Sequence, residues 1–539
     1  MGLDEKIMDS KLEKVISATD GHVEVAGRRG STINEYDLLS NIEETAASKA
    51  AWLISITVSL GGFLFGYDTG YISSVLVSIG TSLGHELTSS ESELVTSLTS
   101  GGALIGAVGA GLTADRFGRK MPIWAACIVF VIGTVIQTAA YHVPTFAVGR
   151  FVVGLGVGLA AMVVPLYIGE LAPAKYRGRM IAFNNVSVTF GQFIASAIGA
   201  GLAEVRGEGW RGTVGIGAVP AIALGIMLLW CPESPRQLVA HGKIEQANNV
   251  LLKVYPGSTP EQRQAKIQSI ELSMQEVGSS LAQDSLWTGI KRIVSTPPTA
   301  RAVATACIVM AISQLGGFNT LMYYAATLFS IVGFTNATAV AITVSGTNFF
   351  FSIVNLLLVD KFGRRKLLTC TILGMSVCML IAAVSFSYIP VNLKTLELEQ
   401  GAAVGWAGNV VLACIICYVG FYSSGVATIA WIGTELIPLE VRALGTMANT
   451  VTCWSTNIII ASTFLSMMKG ITPSGAFGFY CGICFFGWLF VVFFYPDVKG
   501  MPLESIREVF RHGFGVKYSK QWQREHKHEK KEVQQVIGH

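Results

Sequence analysis

ADRFGRK at 114–120 returns as VDKFGRRK at 359–366, and this pair decides how the chain is organised. Each copy follows the second long apolar run of its part of the chain, with the acids at Asp115 and Asp360. A second pair keeps a similar offset. GELAPAKYRGR carries its acid at Glu170 and TELIPLEVRA at Glu435, each after the fourth apolar run of its part. The reading is two repeated units of six apolar runs, joined by a polar segment.

The runs have the length a membrane demands. A helix needs about 20 apolar residues to cross the hydrocarbon, and twelve runs are read at 52–76, 93–114, 122–141, 145–168, 180–203, 213–231, 301–332, 339–359, 367–388, 408–434, 444–468 and 475–495. Of the 539 residues 51% are hydrophobic and only 14% charged, with a mean hydropathy of +0.52. Soluble chains carry about 25% charged residues, so lipid is read as the main solvent of this one. The expected fold class is an all-α membrane protein with twelve transmembrane helices in two six-helix halves. Glycine runs such as Gly102-A-L-I-Gly106 and Gly154-L-G-V-Gly158 suit close helix approach.

Other classes are excluded early. A net charge of +4 gives no argument for nucleic acid. The ten cysteines lie in or beside apolar runs, so neither a disulfide framework nor a metal site is read, and no cofactor is expected. No Gly-rich loop ending in Gly-Lys-Ser/Thr occurs, which leaves ATP drive unsupported. No nucleophile–base constellation suggests an enzyme. The first fifty residues are polar, with no apolar stretch before a cleavage site, so the first apolar run is expected to target the membrane.

Orientation follows from Lys and Arg. They crowd the loops at 115–120, 172–179 and 360–366, the segment 232–300 and the C-terminal tail, whereas 77–92 and 333–338 hold none. Segment 204–212 departs from the pattern, with Arg206 and Arg211 beside Glu204 and Glu208. Both termini are therefore expected in the cytoplasm. The division expected is a tail at 1–50, a bundle at 51–231, a linker at 232–300, a second bundle at 301–495 and a tail at 496–539. IEQANNVLLKVY and PEQRQAKIQSIELSMQEV in the linker have amphipathic helical spacing, which reads as short cytoplasmic helices. Repeated bundles of this kind place a substrate between the halves near the bilayer midplane.

Two charges stand well inside the runs, Asp68 in GGFLFGYDTG and Arg150 in GRFVVGLGVG. A charge there costs several kcal/mol unless paired or hydrated, so it is a functional hypothesis by default. At 1.5 Å per residue Asp68 lies roughly 10 Å, and Arg150 roughly 8–9 Å, from the outer end of its run. The two can meet. Beside Arg150 the carboxylate is stabilised as the ion, and losing that partner in a dry cavity favours the neutral acid. A change of pairing would thus change proton binding, which is what proton coupling requires; a structural ion pair is the alternative. One proton crossing 100 mV gains about 2.3 kcal/mol, and one pH unit adds about 1.4 kcal/mol. Together they support roughly a several-hundred-fold solute gradient. Acids and bases also recur at the cytoplasmic run ends: Arg119, Glu170, Arg177, Glu233 and Arg236 in the first half, Arg364, Glu435 and Arg442 in the second. They read as gating ion pairs, or alternatively as orienting charges and helix caps.

DRFGRK, DKFGRRK, PESPR at 232–236, GRFVVGLGVG at 149–158 and YPDVKG at 495–500, in this order, resemble the sugar porter branch of the major facilitator superfamily over residues 50–510. TELIPLEVRALGT with IASTFLSMMKGITPSGAFGFY resembles fungal myo-inositol transporters in particular. The resemblance implies the major facilitator fold and proton-driven import of a small neutral polyol or sugar at the plasma membrane, with Asp68 at the position of the coupling acid. It places Gln192 (TFGQ), Gln314 and Asn319 (SQLGGFNTLMYY) and Asn348 (SGTNFFFS) against substrate. It adds Tyr323, which with Tyr324 falls near the outer gate, and Trp431 and Trp454, which match the family's tryptophans, to the substrate-binding set. Amides offer donor and acceptor to each hydroxyl, and an indole covers a ring's C–H face. Ser313 replaces the first of two usual glutamines, GVATIAW lacks the usual Gly-Pro, and Cys453 stands where an amide is common. These departures keep a hexose or pentose symporter, and a non-transporting sugar sensor, as alternatives.

Overall fold

With no water to bond in hydrocarbon, a chain must satisfy its backbone internally, and a helix does so within one segment. The computed structural model describes residues 48–525 except 204, 206, 207, 282–285, 394, 395, 399–404, 439, 440, 499, 500 and 502–507. The first six runs form α1 (Lys49–Ser78), α2 (Ser89–Phe117), α3 (Lys120–Thr138), α4 (Val143–Leu171), α5 (Ala174–Ala203) and the pair α6 (Gly209–Ile216) and α7 (Ala218–Met227). The linker folds as α8 (Pro235–Ala240), α9 (Ile244–Val254), α10 (Pro260–Leu281) and α11 (Leu286–Ser295). The last six runs give α12 (Pro297–Leu315), α13 (Phe318–Val332), α14 (Ala337–Phe362), α15 (Arg364–Phe386), α16 (Trp406–Phe421), α17 (Ala427–Ile432), α18 (Arg442–Ala461) and α19 (Phe464–Phe494). A two-stranded ribbon, β1 (Val391–Asn392) with β2 (Glu397–Leu398), decorates one loop.

Among the described residues eleven helices are long and apolar enough to span a membrane, with α6–α7, α12–α13 and α16–α17 each counted once. The twelfth position is α18, whose 20 residues include Asn449, Thr450, Thr452, Thr456 and Asn457. Packing obeys the repeat. In the first half α1 lies on α5 and α3 on α4; in the second α12 lies on α18 and α15 on α16. Between halves α2 meets α18 as α14 meets α5. The glycine runs face each other across α2 and α4, where a Cβ at Gly158 would collide with the Ala103 carbonyl and one at Gly102 with that of Phe151.

Several boundaries differ from expectation. The run at 301–332 is two helices, broken at Gly316–Gly317, where Gly317 has φ +98° and a Cβ would press on the Tyr480 ring. The run at 408–434 holds a π-helical turn at Tyr422–Val426. The run placed at 444–468 ends at Ala461, and Phe464–Gly470 begins the next helix, which kinks at Ile471–Thr472 before Pro473. Hydropathy reports apolar length and is blind to a change of axis. In the linker, Leu238, Val239, Ala247, Leu251 and Ile267 bury against the first half. Beyond 495, Val498, Val509 and Phe510 bury against the second.

Candidate functional site

Asp68 and Arg150 meet. The Arg150 guanidinium Nη1 donates to Asp68 Oδ1 at 2.6 Å, with both side chains essentially without solvent exposure. Tyr71, one turn along α1, places its hydroxyl 2.8 Å from the same oxygen. Arg150 Nη1 also donates to Tyr71 Oη at 2.9 Å, and its Nε to the Val95 carbonyl at 3.1 Å. Asp68 Oδ2 is buried and has no partner. One carboxylate oxygen is therefore held by two donors and the other is bare, so a proton can add without displacing a protein bond.

A cavity of about 160 Å³ lies between the halves. Gln192, Gln314, Asn319, Asn348, Trp431 and Trp454 all line it. Asn348 Nδ2 donates to Gln192 Oε1 at 2.6 Å and receives the Ser423 hydroxyl on its own oxygen at 2.6 Å. Gln192 Nε2 reaches Thr69 Oγ1 at 3.1 Å. Asn319 donates to Gln314 Oε1, which Asn457 Nδ2 also approaches at 3.4 Å. Trp454 stands edge-on to Phe65, with centroids 5.6 Å apart, and its indole N–H has no protein partner. Tyr323 is not in the lining; it stands behind, its hydroxyl 3.2 Å from Asn457 Oδ1. Tyr324 bonds the Ala461 carbonyl at 2.7 Å.

The cavity reaches toward the end of the bundle that carries the repeated basic motifs: Pro165, Asn184, Leu356 and Trp431 belong to the parts of α4, α5, α14 and α17 nearest that end. The opposite end is sealed across the halves. Ser100 donates to Asn457 at 2.9 Å, the Ala326 N–H to Ser73 at 2.8 Å, and Glu93 accepts both the N–H and the hydroxyl of Ser466 at 2.7 and 2.6 Å. Ser466 lies in the first turn of α19, where a carboxylate meets unpaired N–H groups and the positive end of the helix dipole.

At the motif end Arg119 and Glu170 form a buried ion pair of 2.9 Å, joined by the Ser234 hydroxyl. Glu233 accepts the Arg119 and Lys120 N–H groups at 2.9 and 3.3 Å and so caps the start of α3. Arg177 and Arg236 are exposed. Arg442 bonds the Ile437 carbonyl at 3.2 Å, and Arg364 is half-buried. The Glu435 side chain lies outside the described residues. Arg119, Glu170 and Glu233 are thus brought together at the motif end.

Sequence reasoning missed Tyr71, Gln137, Asn457 and Glu93. The substituted position Cys453 does line the cavity, and Asn457, four residues on and on the same helix face, supplies an amide one turn away. Glu93 was read as the edge of a run, yet it is 4% exposed. Ser313 is not in the lining, but its hydroxyl meets that of Tyr422, which is, at 3.3 Å.

The family model described as "Sugar (and other) transporter" matches residues 54–510. The chain belongs to that family. It is therefore a multi-pass membrane transporter and not an enzyme. The transporter is 42% identical to Myo-inositol transporter 1 of Candida albicans over 90% of its own length and 87% of that protein. It is 37% identical to Myo-inositol transporter 1 of Saccharomyces cerevisiae over 90% and 84%. Among solved structures it resembles the proton:xylose symporter XylE bound to a bromodeoxyglucose, a major facilitator superfamily protein, with a TM-score of 0.70 and 25% identity over 85% of this chain and 99% of that one. A partially occluded inward-open form of XylE from E. coli gives 0.69 and 26% over 84% and 100%.

Proposed function

We propose that the protein is a proton-coupled symporter that imports myo-inositol, or a closely related polyol or sugar, across the plasma membrane by alternating access. The observation that carries this reading is the amide-and-indole cavity between the halves, in a chain whose relatives named above are myo-inositol transporters. Gln192, Gln314, Asn319 and Asn348 bond the hydroxyls, Asn457 holds Tyr323 behind them, and Trp431 and Trp454 cover the ring. In the ligand-free arrangement the amides bond one another, and a polyol replaces those bonds with its own. Its hydroxyls match the set because each both gives and accepts.

Asp68 takes the proton and Arg150 holds its ionised form. The basic motif end is cytoplasmic, by the bias of Lys and Arg toward that side, and both termini lie there. The division into tail, bundle, linker, bundle and tail falls at 1–50, 51–231, 232–300, 301–495 and 496–539. Arg119, Glu170, Arg177, Glu233 and Arg236, with Arg364, Glu435 and Arg442, form the cytoplasmic gate. The test is uptake of radiolabelled myo-inositol in a host lacking inositol transport, at acid and neutral pH, with unlabelled hexoses and pentoses as competitors. Acid-stimulated uptake that inositol alone competes away is expected. Uptake of a hexose or pentose without inositol would overturn the substrate assignment; binding without uptake would make the protein a sensor.

A further inference from the structure

Tyr71 has one hydroxyl hydrogen and two acceptors in front of it. Its oxygen lies 2.8 Å from Asp68 Oδ1 and 3.0 Å from Gln137 Oε1, while Arg150 Nη1 donates to it at 2.9 Å. A hydroxyl donates once, so the two acceptors cannot both be served. Gln137 cannot relieve the conflict by turning its amide over. Its Nε2 faces the Gly149 carbonyl at 3.3 Å, and reversal would set oxygen against oxygen there. Nor can it withdraw, because α3 and α4 are packed so closely that a Cβ at Gly149 would strike the Gln137 side chain. All these groups are buried.

The charge of Asp68 decides which acceptor wins. A hydrogen bond to an ionised acceptor is roughly twice as strong as one to a neutral acceptor, so the ionised carboxylate takes the hydrogen. Gln137 Oε1 then faces a hydroxyl lone pair. When a proton adds at the bare Oδ2, Oδ1 becomes a neutral carbonyl and the hydrogen is free to swing to Gln137. Only hydrogen bonds change, and release of the proton reverses each step.

We propose that Tyr71 is a positioning residue for the coupled proton, its hydroxyl pointing to Asp68 when that acid is ionised and to Gln137 when it is neutral. The switch rests on Asp68 carrying the proton, as proposed above. It passes the charge state of α1 to the contact of α3 with α4, beside the residue that pairs with Asp68. The charged and titratable groups facing Asp68 among the described residues are Arg150 from α4, Tyr71 from its own helix and Tyr323 from α13. Tyr323 donates to Asn457 and leaves the switch to Tyr71.

The two partners of the hydroxyl have opposite effects, and this provides the test. Tyr71→Phe removes a donor that favours ionised Asp68, so the alkaline limb of the inositol-uptake profile moves to higher pH, by about one unit. Gln137→Leu removes the acceptor that rewards the neutral acid, so the limb moves to lower pH. In the double variant the Gln137 change adds nothing to the Tyr71 change, the signature of a direct coupling. Profiles are normalised to folded protein, since loss of packing alone lowers the maximal rate without moving the limb in opposite directions. Shifts of the same sign, or none in either variant while Asp68→Asn abolishes accumulation, would overturn the Tyr71 role and leave proton coupling standing. Accumulation by Asp68→Asn would overturn both.

Discussion

Asp68 and Arg150 both belong to the first half, whereas Gln192 bonds Asn348, and Ser100 bonds Asn457, from one half to the other. The charged pair is fully enclosed, and its partners, Tyr71 and the Val95 carbonyl, move with it. The amides line a cavity, and three of their bonds join one amide to another. Desolvating an ion costs several kcal/mol, while a neutral hydrogen bond contributes only about 0.5–1.5 kcal/mol net. The halves can therefore part along the amide seam without exposing the charged pair. On the proposed reading, proton and solute are read by different devices, one inside a half and one between halves.

The comparison breaks most visibly at the charge. Arg150→Met leaves Asp68 buried and unpaired, and a loss of about 3–5 kcal/mol in stability is expected, read as a lower thermal midpoint in detergent. Asp68→Asn in the same chain should recover most of it. A midpoint unchanged by Arg150→Met would mean that the pair does not hold α1 to α4.

The far seam comes next. Glu93 accepts two hydrogen bonds from Ser466, and bonds to a charged group are worth about 1.5–3 kcal/mol each. Glu93→Ala should raise the share of molecules open at that end at least tenfold. Cys453, in the cavity wall, reports it: an impermeant thiol reagent added outside intact cells should label it faster, and Cys453→Ser should abolish that increment. Unchanged labelling would remove Glu93 from the seam.

A smaller effect is expected at the amides. Gln192→Ala or Asn348→Ala removes one of the amides proposed to bond the substrate hydroxyls, so half-saturation for inositol should rise roughly tenfold, with the pH profile in place. A shifted profile would show that the two devices are not separate.

What the sequence disclosed follows the same division. Asp68 and Arg150 were legible because charge is rare in apolar runs, and the repeated basic motifs revealed the halves. Amides raise no such alarm: Asn457 sits in STNIII, and motif matching stopped at Cys453, a turn earlier. Glu93 escaped because a run edge tolerates charge when exposed, and nothing local says that α19 will cover it. The break at Gly316–Gly317 was visible only as two glycines, while Ser462 and Thr463 were too short an interruption to mark the end of α18. Each of these depends on what another segment brings alongside.

The central claim is that Asp68 binds the proton that moves with the solute. The most direct measurement is inositol-driven proton entry into proteoliposomes, followed with an entrapped pH dye, for the unaltered chain and for Asp68→Asn. The account predicts acidification on adding inositol to the unaltered chain, and none with Asp68→Asn, although that variant still exchanges labelled inositol across the membrane. Equal acidification by both proteins would contradict it.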